Sequence, residues 1–117
     1  MKLTWEYFEK WLEGLRQTWL NKDLNGLEKY FGKIERYYEN PFKIGTSFEE
    51  VLGFWQEIKN QKDIKLEMDC VTVDGNVGMA HWFFSDDSGE YDGIYQVTFD
   101  EGLNCIEFKQ WCVPKTV

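Results

Sequence analysis

The chain holds one histidine, His81. Histidine is the side chain whose ordinary pKa lets it gain and lose a proton near neutral pH. Strand alternation groups His81 with Val77, Met79 and Phe83, and sets Ala80, Trp82 and Phe84 on the other face. In a pocket it is a candidate general acid or base. It also reads as a buried neutral imidazole satisfied by a neighbouring hydroxyl or carbonyl. Tyr95 falls with Val97 and Phe99 and can meet His81 across adjacent strands, or stand as a core tyrosine tied to the backbone. Tyr38 and Asn40 share a face with Ile34 and can donate hydrogen bonds to a ligand carbonyl. Asn40 before Pro41 equally suits a turn. Gln110, with Ile106, Phe108 and Cys112, is expected to project inward. Asp69 is the best carboxylate to orient His81 if it points inward, although solvent is its expected place.

Elements must exist to hold these groups. Trp5, Phe8, Leu12, Leu15 and Trp19 recur at spacings of three and four, which predicts a helix over residues 4–21 with Thr4 as its cap. Asp23 caps a second, short helix with Leu24, Leu27, Tyr30 and Phe31 on its apolar side, and Gly32 suits a left-handed end. Residues 33–40 alternate as a strand that stops at Asn40-Pro41. Ser47-Phe48-Glu49-Glu50 is a capping box that opens a third helix, running to about residue 60. From residue 64 the period becomes two: strands over 64–73, 77–85, 90–100 and 103–113 are separated by Asp74-Gly75-Asn76, Asp86-Asp87-Ser88-Gly89 and Glu101-Gly102. Helices ahead of an antiparallel meander define an α+β class, in one domain over residues 1–117.

Composition bounds the function. There are 6 Trp, 6 Tyr and 9 Phe, more aromatic area than a small core needs. That surplus suggests a lined cavity, a subunit interface, or both. A net charge of −8 without a basic run argues against nucleic acid and against an anionic membrane surface. No apolar run approaches a membrane span, and the charged, aromatic N-terminus is not a signal peptide. The three cysteines, Cys70, Cys105 and Cys112, have no paired spacing and read as reduced thiols in a cytoplasmic protein. With a single histidine, a His-rich metal site is impossible, and no cofactor is expected.

Three local segments carry a resemblance. Asp23-Leu24-Asn25-Gly26-Leu27 resembles an acidic turn between two helices. Tyr38-Glu39-Asn40-Pro41-Phe42, followed by Gly45 and a helix ending in Phe54-Trp55, resembles a strand-to-helix passage. Thr98-Phe99-Asp100-Glu101-Gly102 resembles a last hairpin turn. In this order they are similar to the nuclear transport factor 2-like superfamily, which includes ketosteroid isomerases and SnoaL-like domains. The resemblance implies a cone-shaped α+β barrel: three N-terminal helices on a curved, mainly antiparallel sheet around one pocket. It implies that His81, Met79 and Phe83 line that pocket, with Tyr38 and Asn40. Phe54 and Trp55 would close one wall, and Trp11, Leu15 and Trp19 the opposite one. Where the isomerases keep an aspartate base, this chain has Asn40. Their tyrosine donor falls near Leu15, and their second acid at Tyr95.

The expected function is therefore binding of a small apolar ligand. If the domain is an enzyme, it performs isomerase, cyclase or hydratase chemistry on a carbonyl compound, with His81 as acid/base and Tyr38, Asn40 and Tyr95 as donors. The second expectation is a non-catalytic dimerising or protein-binding module. The resemblance implies a homodimer formed through the outer sheet face, expected to carry Trp82, Phe84 and Trp111.

Overall fold

The computed structural model describes residues 1–115. Thr4 opens helix α1 (Trp5–Leu20) by accepting a hydrogen bond from the Tyr7 N–H at 3.1 Å. Phe8, Trp11, Leu12, Leu15 and Trp19 are its buried stripe. A 3₁₀ turn (Asn25–Leu27), held by Asp23 Oδ1 on the Gly26 N–H, leads into the single turn of α2 (Glu28–Phe31). Gly32 ends α2 with φ −63°, so the expected left-handed cap is not used. Strand β1 (Arg36–Asn40) is followed by a short strand that alternation did not reveal, β2 (Lys43–Gly45).

Ser47 caps α3 (Phe48–Phe54) through the Glu50 N–H at 3.2 Å. Glu50 reaches back one residue further than the standard box, to the Thr46 N–H and hydroxyl. The helix stops at Trp55, and residues 56–60 continue as a 3₁₀ turn. Strands β3 (Lys65–Asp74), β4 (Val77–Asp86), β5 (Gly89–Phe99) and β6 (Cys105–Pro114) form the predicted meander.

The sheet order is β2-β1-β6-β5-β4-β3. All neighbours are antiparallel except β1 and β6, which run parallel with Tyr37 opposite Phe108. The three helices cover one face of this curved sheet, an α+β fold. Helix α1 lies across it, anchored to β3 by Arg16 Nε donating to the Leu66 carbonyl at 2.6 Å. Behind it the sheet's inner row on β4 is Gly78, Ala80, Trp82 and Phe84, each buried. Gly78 is small for a reason: a Cβ there would come within 2.6–2.8 Å of the Phe8 ring. That contact sets how closely α1 approaches the sheet.

Gly78→Ala should therefore force α1 outward and cost about 1–3 kcal/mol. Gly53, in α3 with nothing within 4 Å of its missing Cβ, is the matched control. Its change to Ala should be neutral or stabilising by about 0.5–1 kcal/mol. Urea denaturation of both variants checks the pair; equal midpoints would show that the Phe8 contact sets nothing.

Candidate functional site

Between the C-terminal half of α1, the end of α3 and the inner sheet face lies a cavity of about 560 Å³. Trp19 from α1, Phe54 and Trp55 from α3, and Trp82 and Phe84 from β4 supply its aromatic walls. Trp19 packs edge-on against Trp55, with centroids 4.9 Å apart, and stacks on Phe84 at 5.2 Å. Its indole N–H is satisfied by Gln61 Oε1 at 2.7 Å.

Trp82 Nε1 and the Tyr95 hydroxyl are buried with no hydrogen-bond partner. Trp55 Nε1 makes no well-formed hydrogen bond, but it lies close enough to the Tyr37 hydroxyl to act on it as a donor. An unpaired buried donor costs about 1–3 kcal/mol. Trp55 and Trp82 line the cavity. Tyr95 is fully buried and does not; its ring stacks on Trp82 at 5.2 Å and packs on Phe108 at 4.7 Å.

Tyr37, Glu39, Lys43, Gln110 and Cys112 also face the cavity. Strand β1 brings Tyr37 and Glu39 there because Tyr37 is locked inward, stacked on Phe108 at 5.0 Å and edge-on to Phe31 at 5.3 Å. Glu39 is the extra residue of a bulge against β2, where pairing shifts from Tyr38–Ile44 to Asn40–Lys43, and it lines the cavity with Tyr37. Gln110 holds this strand end: its Nε2 donates to the Glu39 carbonyl at 2.8 Å. Burial pushes the Glu39 carboxyl pKa up, against the opposing charge of Lys43 and the Tyr37 hydroxyl. Burial also raises the Tyr37 and Tyr95 phenols far above their ordinary range, and the charge of Glu39 adds to both. Lys43 sits 4.9 Å over the Phe54 ring.

Several sequence expectations are corrected. Met79, His81 and Phe83 face away from the helices, on the outer side of the sheet. Both faces of β4 are apolar, so alternation alone could not choose between them. The small Gly78 and Ala80 decide it by admitting α1. His81 Nε2 lies 2.9 Å from both Asp92 oxygens in a partly exposed pair, with Asp69 opposite it in register. His81 and Tyr95 are thus on opposite faces of the sheet and do not meet. Tyr38 and Asn40 also point outward, displaced by the inward lock of Tyr37. Arg36 Nη1 approaches the Tyr38 hydroxyl at 3.4 Å, and Asn40 Oδ1 accepts from the Phe42 N–H at 2.8 Å, the turn role. Trp82 and Phe84 belong to the cavity rather than the outer face, because Trp19 of α1 packs on them. Leu15 is core and does not touch the cavity. Trp19, Phe54, Trp55 and Gln110 line it.

Sequence reasoning missed Tyr37, Glu39, Lys43 and Cys112. The signal for Cys112 was present in its parity with Gln110. For Glu39 there was none, since a carboxylate on a strand reads as solvent-facing. Among the described residues no helix is long and apolar enough to cross a membrane, and no three His, Cys, Asp or Glu are grouped to hold a metal ion.

The sequence matches no family model and no curated protein. Solved structures are similar in fold. An NTF-2 like protein of unknown function from Burkholderia xenovorans LB400 superposes with TM-score 0.76 at 10% identity, covering 96% of this chain and 87% of its own. A putative ketosteroid isomerase from Kribbella flavida DSM 17836 gives 0.72 at 14%, covering 92% and 78%. A de novo designed protein with curved beta-sheet gives 0.75 at 18%, covering 92% and 86%. These likenesses show the nuclear transport factor 2-like fold.

Because the folded pKa of Glu39 lies above its ordinary 4.5, the folded state holds that proton more tightly than the unfolded chain. Its contribution to stability is present below 4.5 and is lost as pH rises through the folded value. Glu39→Gln, which stays neutral, should therefore melt at a higher temperature than the parent at pH 8 and show a flatter pH dependence above 4.5. Thermal melts across that range are the check; a variant that melts lower throughout would mean the carboxylate is favourably held.

Proposed function

We propose that this domain binds a small, largely apolar carbonyl compound in the aromatic cavity and moves a proton on it, with Glu39 as the acid/base. The observation that carries this reading is a half-buried carboxylate, Glu39, in a cavity walled by aromatic rings, with the unpartnered indole N–H of Trp82 buried in one of those walls. A carbonyl oxygen satisfies such donors, and donors aimed at an oxygen stabilise the negative charge that develops when a neighbouring carbon loses a proton. Glu39 takes that proton; the C–H electron pair moves into a C=C bond and the carbonyl pair onto oxygen. Returning the proton at the same or a conjugated carbon restores the carboxylate, so exchange or isomerisation needs no co-reactant. A base with its pKa raised toward neutral suits both halves of the cycle. Tyr95 acts through the stacked Trp82 as a positioning residue, and Gln110 fixes the strand end that carries Glu39.

The fold is compatible with this chemistry without requiring it. One similar structure is described as a putative ketosteroid isomerase and another is a designed protein. Glu39, one residue before Asn40, offers a carboxylate on the strand where the isomerases place theirs. A second reading has its own observation. The outer sheet face exposes Trp111 (42%) and Val113 (70%), with Ile94 and His81 in the same cross-strand row as Trp111. Such a face suits a self-complementary homodimer, and that assembly is compatible with ligand binding.

Two measurements test these readings. Deuterium uptake at the carbon beside the carbonyl of 2-tetralone, followed by NMR, should be accelerated by the protein and slowed at least about 100-fold in Glu39→Gln. Binding should be retained in that variant by quenching of tryptophan fluorescence. Neither quenching nor uptake would leave only the non-catalytic module. Sedimentation should show a dimer that Trp111→Glu converts to monomer; a parent that sediments as a monomer ends the outer-face reading.

A further inference from the structure

The Tyr37 hydroxyl is unlike its surroundings, and what it does there rests on the reading of Glu39 as a base. Tyr37 is 1% exposed and its ring lies among phenylalanines: stacked on Phe108 at 5.0 Å, edge-on to Phe31 at 5.3 Å and tilted against Phe54 at 5.8 Å. A further phenylalanine would serve that packing equally well. A hydroxyl carried into it loses water, a cost that is offset only where the group finds a partner. Partners are at hand. Trp55 Nε1, buried and without another acceptor, is close enough to act on the Tyr37 hydroxyl as a donor. The Tyr37 hydroxyl in turn is close enough to act as a donor on the Glu39 carboxylate. Tyr37, Glu39 and Trp55 all line the cavity.

The chemistry of these groups fixes the direction of the chain. An indole N–H only donates, an ionised carboxylate only accepts, and a phenol does both. Trp55 therefore donates to the Tyr37 oxygen, and the Tyr37 proton is turned to Glu39. Burial holds the phenol pKa well above its ordinary value and the Glu39 charge adds to this, so Tyr37 keeps its proton where the carboxylate is ionised. Other groups act on Glu39 through charge. Burial raises its pKa and Lys43 opposes that; the Lys43 ammonium lies 4.9 Å over the Phe54 ring and, among the described residues, in no salt bridge. Tyr95 on β5 and Cys112 on β6 feel the Glu39 charge, and Glu57, Asp86 and Asp87 line the same cavity. Of all these, Tyr37 is the group that acts on the carboxylate as a hydrogen-bond donor. Gln110 holds only the Glu39 backbone, through its carbonyl at 2.8 Å.

We propose that Tyr37 is the positioning residue of the base: its hydroxyl, fixed by Trp55, donates to the Glu39 carboxylate and holds that group where it meets the ligand. The ring cluster makes the donor rigid, so the carboxylate is oriented by a group that cannot itself turn away. A donor to the charged form also favours ionisation, which offsets part of the burial penalty on Glu39.

Carbon-detected NMR follows the titration of the Glu39 carboxyl, assigned as the resonance missing from Glu39→Gln. In Tyr37→Phe, which keeps the ring and its packing, the midpoint should rise by about one pH unit. Trp55→Phe, which removes the indole N–H and leaves a ring, should move it the same way and by less. The pH profile of deuterium uptake into 2-tetralone should follow the titration, while tryptophan quenching still reports binding. A purely structural role for the hydroxyl would lower the melting temperature and leave the titration where it was. A Glu39 midpoint unmoved or lowered in Tyr37→Phe overturns this inference and leaves the acid/base reading in place. A midpoint that rises, in a protein whose parent accelerates no uptake, supports the contact and ends the proton-transfer reading. If Tyr37→Phe does not fold, the titration of Trp55→Phe decides alone: an unmoved midpoint there overturns the inference.

Discussion

The packing of Trp11 is the interaction on which the rest depends. It lies within 5.5–6.3 Å of five other rings: Phe8 on its own helix, Tyr30 and Phe31 of α2, and Phe99 and Phe108 of the sheet. Aromatic pairs in such edge and tilted arrangements contribute beyond their buried area, and here one side chain fastens both helices to two strands. Trp19 stands eight residues further along α1, about 12 Å by helical rise. At Trp11 the contacts reach both α2 and the sheet; at Trp19 they are with Trp55 of α3's end and with Trp82 and Phe84 of β4. The rings around Trp11 fix α1 on the sheet, and with it the place of Trp19 in the wall of the cavity.

Much of the fold was legible because its signals are local. The stripe from Trp5 to Trp19, the Ser47 cap and the period-two strands each specify an element without knowledge of its neighbours. The cavity was less legible, because membership in it is decided by which face of a strand turns inward. Strand β4 is apolar on both faces, and β1 offers Tyr37 and Tyr38 side by side. Only partners distant in the chain choose between them: Phe8 against Gly78, and Phe31 and Phe108 against Tyr37. A one-residue error in parity moved His81, Tyr38 and Asn40 into the cavity and Glu39 out of it. Gln110 and Trp55 escaped the error, since Gln110 shares parity with the unambiguous Phe108 and Trp55 ends a capped helix.

Glu39 is the residue the fold tolerates least. A carboxylate among aromatic walls would ordinarily be excluded, and burial raises its pKa here. It is retained by geometry: Tyr37 is locked inward, and a bulge at Glu39, whose carbonyl Gln110 holds, sets the carboxylate at the cavity. Nearby Lys43 and the Tyr37 hydroxyl temper the burial penalty without removing it. Buried donors without partners add a second cost in the same place. Polar groups left unsettled in an otherwise well-packed core are common where a molecule is meant to complete the structure.

The parallel pairing of β1 with β6 has a temporal side. Strand β1 touches the sheet through β6 alone; its other neighbour is the three-residue β2. A two-stranded hairpin is marginal by itself in water. Residues 36–45 therefore have no sheet to join until residues 105–114 exist and have paired with β5. During synthesis the helices and the β3–β5 meander can form first, with the strand that bears Tyr37 and Glu39 waiting on the last one made. Closing so long a loop is slow, and the cavity wall that carries Tyr37 and Glu39 cannot be completed before β6 has paired.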